Sequence, residues 1–304
     1  MGSFLRAREL PALAFLTVLI GAMFVYAPNF GSRDNLFAIG QDVAITGIMA
    51  VGMTMVILTA GIDLSVASVL ALSAAVTGTL MMGGLNMWAS VPAGLAVGAA
   101  CGYTNGALIA WLRVPPIITT LGMMGILRAS VYLYTGGNYI GPLPPDFAFV
   151  GVRWTPVIIL GVVALGFSLF LSRVRLGRHI YAIGGNEESV RLSGIRVNRV
   201  KLMIYTLNGV LAALSGMIMM SSWSSVQSNM AKGYELGVIA AVVIGGTSIN
   251  GGLGSVPGTI IGAGIMSLLY NALNLLGISK FWHQFIIGIV ILAAVMMDRF
   301  RSKQ

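Results

Sequence analysis

The sequence predicts an all-α polytopic membrane protein, one transmembrane domain over residues 1–304, and three observations carry that prediction. Hydrophobic residues fill 57% of the 304 positions while charged residues fill 9%. Mean hydropathy is +0.90. The few charges stand at intervals close to the length of helix that crosses a bilayer. A soluble domain carries roughly a quarter of its residues charged, so 18 Lys/Arg and 9 Asp/Glu are too few to wet a soluble protein of 31.9 kDa. A soluble enzyme, a nucleic-acid binder and a disordered chain are excluded on that ground. The net charge of +9 would suggest acidic partners in a soluble protein; here the placement of the charges matters more than their sum.

The hydrocarbon core takes about 20 apolar helical residues, and a charge at its centre costs about 2.5 kcal/mol or more. Gaps between charges therefore count crossings. Glu9 to Arg33 encloses 23 uncharged residues and Asp42 to Asp63 encloses 20, one span each. Asp63 to Arg113 encloses 49, two spans with a break near Gly83-Gly84-Leu85-Asn86. Val114–Pro145 holds one span interrupted by Arg128, and the 19 residues between Arg153 and Arg173 hold another. Lys201 to Lys232 (30 residues) gives one span and a loop, Glu235 to Lys280 (44) gives two divided around Asn250-Gly251-Gly252, and Lys280 to Asp298 (17) gives the last. The expectation is about ten transmembrane helices.

Lys and Arg set the orientation. With both termini cytoplasmic, the inner side holds Arg6, Arg8, Arg113, Arg173, Arg175, Arg178, Arg191, Arg196, Arg199, Lys201, Arg299, Arg301 and Lys303, against Arg33, Arg153, Lys232 and Lys280 outside. Nine or eleven spans would scatter these charges over both faces. Arg6, Arg8 and the apolar run after them also fit a signal peptide, but the run is long and nine further spans follow it.

The intramembrane polar residues are the candidates for function. Gly94, Gly98, Gly102 and Gly106 recur every fourth residue, a ridge that lets a neighbouring helix approach. Two segments read as helix breaks, Thr59–Ser65 (TAGIDLS) and Gly245–Gly258 (GGTSINGGLGSVPG), and interrupted helices in transporters line or gate the path. The glycine-rich stretch lacks the Lys and Ser/Thr of a phosphate loop. Asp63 reads as a helix N-cap, as a functional carboxylate, or as both. Arg128, mid-span, needs protein, water or a carboxylate, with Asp42 and Asp146 nearest by depth. Asn105, Asn208, Asn271, Asn274, Gln227 and Tyr270 are neutral hydrogen-bonding groups that suit a polyol better than an ion, though amides also join helices. Ser65 stands beside Asp63 in the first break. Coupling to protons or sodium would leave carboxylates at mid-membrane, and every acid here lies near a span end or in a loop. One cysteine (Cys101) and two isolated histidines (His179, His283) offer neither a disulfide framework nor a metal centre.

Residues 173–201 form the one long polar stretch. Asn186 suits an N-cap, Glu187 and Glu188 a first turn, and Gly194 a C′ position, which predicts a helix of about two turns on the inner face. Its basic flanks fit an anchor on anionic lipid or a docking site for a soluble partner.

Four blocks carry a resemblance: IMAVGMTMVILTAGIDLSVASVLAL (48–72), LGRHIYAIGGNEESVRLSGIRVNRVK (176–201), GYELGVIAAVVIGGTSINGGLGSVPGTIIGA (233–263) and NALNLLGIS (271–279). The chain resembles the membrane subunit of ribose-type monosaccharide ABC importers, in the permease superfamily shared with branched-chain amino acid importers. Ala67 stands where that family usually has Gly. The resemblance implies a translocation path for a ribose-like sugar, a dimer of permeases (two copies or a paired homologue), an extracytoplasmic sugar-binding protein, and a separate cytoplasmic ATPase that holds the ATP and Mg2+, with no cofactor on this chain. It implies an inverted repeat of spans 2–5 and 7–10. It implies that the segment of Asn186, Glu187, Glu188, Arg191, Leu192 and Gly194 couples to the ATPase. The path or gate would then be lined by Asp63, Ser65, Asn105, Arg128, Asn208, Asn271 and Asn274. A branched-chain amino acid permease, with Arg128 and Asp42 or Asp63 meeting a zwitterion, and an ATP-independent carrier are the competing readings. An embedded enzyme lacks a nucleophile–base–metal set.

Overall fold

The computed structural model describes residues 2–301, and all regular structure among them is helical. In chain order the helices are α1 (Gly2–Tyr26), α2 (Arg33–Leu58), α3 (Val66–Met82), α4 (Met87–Ala110), α5 (Pro116–Thr135), a 3₁₀ turn (Pro145–Val150), α6 (Thr155–Arg173), α7 (Arg175–Gly185), α8 (Glu187–Leu192), α9 (Val197–Trp223), α10 (Tyr234–Ile244), α11 (Val256–Leu275) and α12 (Lys280–Arg301). Seven described helices are long and apolar enough to cross a membrane: α1, α2, α4, α5, α6, α9 and α11. Three shorter apolar helical stretches accompany them, Val66–Met82, Tyr234–Ile244 and Phe281–Ala293. At 1.5 Å per residue, the 11 residues of α10 reach about 16 Å, half the hydrocarbon core. Lys303 lies outside the described residues, as do the side chains of Arg6, Arg8, Lys280, Arg299 and Arg301.

Local chemistry sets the ends. Ser32 caps α2 by accepting the Asn35 amide at 3.3 Å, and Asp34 stands in the first turn. The helix therefore starts at Arg33 and contains Asp42, whereas the charge gap placed a span after Asp42; the gap measures the apolar stretch, and the cap begins the helix earlier. Gly84 (φ +89°) ends α3 and Asn86 caps α4, accepting the Ala89 amide at 3.0 Å. The expected break at 59–65 is non-helical throughout; of the one expected at 245–258, residues 245–255 are non-helical and Val256, Pro257 and Gly258 already form the first turn of α11, which Ser255 caps by accepting the Gly258 amide at 3.1 Å. In the polar stretch the structure adds α7, a helix the sequence reading did not contain; Val174, in extended conformation, separates it from α6.

At the centre lies α9, packed on α2, α3 and α4. Glycine makes the closest of these approaches. A Cβ on Gly98 would collide with the Gly209 carbonyl of α9, one on Gly102 with the Tyr205 carbonyl, and one on Gly106 would lie 2.9 Å from the Leu202 Cα. Helix α2 is buried all round from Ala44 to Leu58, as befits a helix inside a bundle rather than at its edge. By contrast, α5 and α6 leave large apolar residues uncovered, such as Leu133, Ile158 and Leu165, the surface that lipid covers.

Gly102→Leu should destabilise the purified protein by at least about 1–3 kcal/mol, the overpacking range, because a backbone carbonyl stands in the way. Gly122→Leu, where a Cβ meets open space, should leave the detergent melting temperature unchanged; equal losses in both variants would contradict the α4–α9 contact.

Candidate functional site: a buried carboxylate and the helix that reaches it

The break between α2 and α3 turns back on itself through Ala60 (φ +57°) and carries Asp63 into the bundle. Its carboxylate is 1% exposed, and Ser65, Asn105 and Asn208 are fully buried beside it. Oδ1 of Asp63 accepts the Ser65 amide (2.9 Å) and hydroxyl (2.6 Å), while Oδ2 accepts Nδ2 of Asn208 (2.8 Å). Nδ2 of Asn105 donates to Oγ of Ser65 at 2.8 Å, and the Thr120 hydroxyl donates to the Ile62 carbonyl at 3.1 Å. A seven-residue interruption is thereby tied to α3, α4, α5 and α9. Asp63 does not occupy the N-cap position. It forms an Asx turn on the amide two residues ahead, at the foot of α3, which satisfies the same need for a first-turn acceptor.

Four sequence candidates thus meet: Asp63, Ser65, Asn105 and Asn208. Tyr205, on α9 and 1% exposed, joins them unforeseen; a Cβ on Gly61 would lie 2.5 Å from its hydroxyl. The Tyr205 hydroxyl, Oδ1 of Asn105 and Oδ1 of Asn208 have no hydrogen-bond partner among the described residues. Sequence reasoning passes over Tyr205 because a tyrosine at helical spacing reads as core.

The other three path candidates, Asn271, Asn274 and Arg128, lie elsewhere. Asn271 on α11 exchanges amide hydrogen bonds with Asn35 of α2 (2.7 and 3.3 Å), joining two helices, and Asn274 is exposed at the end of α11. Arg128 pairs with neither Asp42 nor Asp146. Its Nη1 donates to the Met230 carbonyl at 2.7 Å, and Glu235 is the acidic group whose charge acts on it. A backbone carbonyl in the loop after α9 replaces the carboxylate expected from depth alone.

At one end of the bundle α8 forms as its sequence dictates. Oδ1 of Asn186 accepts the Ser189 amide at 2.9 Å, and Gly194 takes φ +81° after the last turn. Val190 is buried beneath the helix, whereas Glu188 is exposed and Leu192 is 84% exposed. Glu187 is engaged: it accepts from Nη2 of Arg191 at 2.8 Å and from Nζ of Lys201, in the first turns of α9, at 2.6 Å. Partial burial pushes its pKa up, but the hydrogen bonds and charges of Lys201 and Arg191 outweigh that and hold it below the ordinary 4.5. Lys201, Tyr205 and Asn208 follow one another along one side of α9, so one helix joins α8 to the Asp63 cluster. Beside α8, a cleft of about 230 Å³ runs between Arg113–Pro116, Asn198 and Lys201. The second break is tied in by α7. Tyr181 donates to the Gly254 carbonyl at 2.9 Å, Gly184 meets Leu58, Gly251 and Gly252 backbone to backbone, and the Gly252 amide donates to the Leu58 carbonyl at 2.9 Å.

Comparison with known proteins gives the following. Residues 35–295 match the family described as branched-chain amino acid transport system / permease component. The chain is 46% identical to the ribose import permease protein RbsC of Escherichia coli K12 over 95% of its length and 93% of that protein. It is 36% identical to the L-arabinose transport system permease protein AraH of E. coli K12 (96% and 90%) and 33% identical to the autoinducer 2 import system permease protein LsrC of Photorhabdus luminescens (96% and 89%). No solved structure matches the chain.

Asp63→Ala should cost about 1–3 kcal/mol by leaving buried donors unpaired. Asn208→Ala should cost less when Asp63 is already absent, a coupling of at least about 0.5 kcal/mol in a double-mutant cycle of detergent stability; additive losses would contradict the contact. For Glu187, a folded pKa below the unfolded value contributes stability at pH above 4.5 that is lost as pH falls through the folded value. Hydrogen exchange of α8 amides should stay protected down to the ordinary glutamate range and open only below it; opening at neutral pH would contradict the anchor.

Proposed function

The chain belongs to the branched-chain amino acid transport system / permease component family, and on that premise we propose that it is the membrane subunit of an ATP-driven importer, forming the path of a monosaccharide delivered by a binding protein. The carrying observation is the 46% identity to a ribose import permease along 95% of the chain. The chain is a transport permease of the inner membrane and not an enzyme; hydrolysis belongs to a separate ATPase, which would hold the ATP and Mg2+. A binding protein presents sugar at the outer mouth, and a second permease copy or homologue completes the path.

The ten-span reading is supported by the seven long helices together with the three shorter apolar stretches. With the charge bias of the sequence, α8 and both termini are cytoplasmic. An inverted repeat is supported by the packing itself, because exchanging α2–α5 for α9–α12 maps it onto itself. Helix α4 lies on α9 as α11 lies on α2, α3 on α9 as α10 on α2, and α3 on α5 as α10 on α12. An offset of five spans inverts the second half.

In this reading α8 couples to the ATPase through its exposed side. Leu192 and Glu188 face outward while Glu187 braces the helix on α9. Work done on α8 then reaches Asp63 along α9, and the two helix breaks rearrange as the bundle alternates between outward and inward access. The amino-acid alternative gains no support from the geometry: Arg128 pairs with neither Asp42 nor Asp63 but donates to the Met230 carbonyl, while Asp63 accepts from Ser65 and Asn208.

Proteoliposomes carrying the permease, its ATPase and its binding protein should take up labelled ribose only with ATP, in competition with other sugars and not with leucine. Leucine competition alone would move the chain to amino acids, and ATP-independent flux would make it a carrier. Glu188→Lys with Leu192→Asp should abolish uptake while the protein stays folded; normal uptake would remove α8 from coupling.

A further inference from the structure

Helix α1 packs on α11 and turns its outer side to lipid, where Leu13, Val18 and Val25 are uncovered. The two helices run side by side in the same direction: Leu16 stands over Gly264, and Met23 and, just past α1, Phe30 pack on Leu268 and Ala272. Apolar contact of this kind holds helices together in lipid without fixing their register. One polar contact fixes it. The Ser255 hydroxyl donates to Oε1 of Glu9 at 2.5 Å, the short end of the range for hydroxyl-to-carboxylate bonds. Glu9 is the one acid in α1.

Ser255 is the N-cap of α11 and closes the second break; its Oγ accepts the Gly258 amide at 3.1 Å. A serine hydroxyl has a single proton, and Glu9 takes it. With the proton directed to Glu9, a lone pair is turned to the Gly258 amide; without an acceptor on α1 the hydroxyl rotates and the cap loses its orientation. Neighbouring residues are held by other helices. Tyr181 of α7 donates to the Gly254 carbonyl at 2.9 Å. The Thr259 hydroxyl bonds to the Ser255 carbonyl at 3.0 Å and lies 2.6 Å from the Thr54 hydroxyl of α2. Two consecutive residues, Gly254 and Ser255, are thus gripped by α7 and α1 respectively. Helix α7 runs through Asn186 into α8. A displacement of α8 therefore arrives at Gly254, and the hold on the next residue decides whether it bends the break or carries α11 along.

Resting on the reading of the chain as an ATP-driven permease, we propose that Glu9 is a positioning residue for transport. By holding Ser255 it fixes the start of α11 to α1, so that movement entering through α7 is taken up in the break at 245–255 and not lost as α11 shifts against its neighbour. The role requires a hydrogen-bond acceptor at position 9 rather than a charge, because its partner is a neutral hydroxyl.

The reconstituted complex of permease, ATPase and binding protein tests this through the labelled ribose imported per ATP hydrolysed. Glu9→Ala should lower that ratio about threefold to tenfold, the effect of one net hydrogen bond, and Glu9→Gln, which keeps the acceptor, should restore it. Ser255→Ala should lower it alike and Ser255→Thr should not, which repeats the comparison from the other partner if a position-9 variant fails to fold. Glu9→Ala should add nothing further in a Ser255→Ala background. An unchanged ratio in Glu9→Ala and Ser255→Ala, even with a lower melting temperature, would make the bond a brace of the fold alone and overturn the proposal. A Glu9→Gln permease as impaired as Glu9→Ala, or additive losses in the double variant, would overturn it too. A wild-type complex without ATP-driven sugar uptake would instead overturn the proposed function.

Discussion

Lipid offers a broken helix no hydrogen-bond partner, so any interruption at membrane depth has to be satisfied by protein. That constraint organises this chain. The interruption at Thr59–Ser65 is closed by Asp63, Ser65, Asn105, Asn208 and Thr120, and the one around 245–255 by the Leu58 carbonyl, Tyr181 and the glycines it meets. Each set of partners comes from several helices, so a break cannot shift without moving its neighbours. The same need explains why α9 lies at the centre: it presents Asn208 to the first break and, through Gly209, comes close enough to α4 for Asn105 to reach the same cluster.

Coupling across such a bundle requires a rigid element with two attached ends. Helix α9 has them, with Lys201 on Glu187 at one end and Asn208 on Asp63 further along. Helix α7 gives a second attachment, from the residues just before α8 into the later break. Both run from the polar face into backbone that is already non-helical, where rearrangement costs fewest helical hydrogen bonds. In the lipid-facing helices α5 and α6 there is no such break.

Much of this was legible in the residues. Charge gaps located the apolar stretches, the glycine spacing marked the face of α4 that meets α9, and Asn186, Glu187 and Gly194 spelled out α8. Asp63, Asn105 and Asn208 stood out because a polar group in an apolar run is costly; that they share one cluster was not legible, since 145 positions separate Asp63 from Asn208. Tyr205 was hidden because an aromatic at helical spacing looks like packing. The partner of Arg128 was hidden because a backbone carbonyl has no sequence signature. Helix α7 escaped notice because its Arg-rich start reads as solvated loop, and the early start of α2 because a serine cap outweighs a nearby charge.

The placement of α8 and the loop after α5 on opposite sides of the membrane is tested most directly by topology. Single cysteines at Glu188 and Tyr139, each in a Cys101→Ser background, are to be probed in intact cells with a maleimide that does not cross membranes. Cysteine at 139 should label from outside and cysteine at 188 only after the membrane is opened. Labelling of both from the same side would contradict the placement of α8 and the loop after α5 at opposite ends of the bundle.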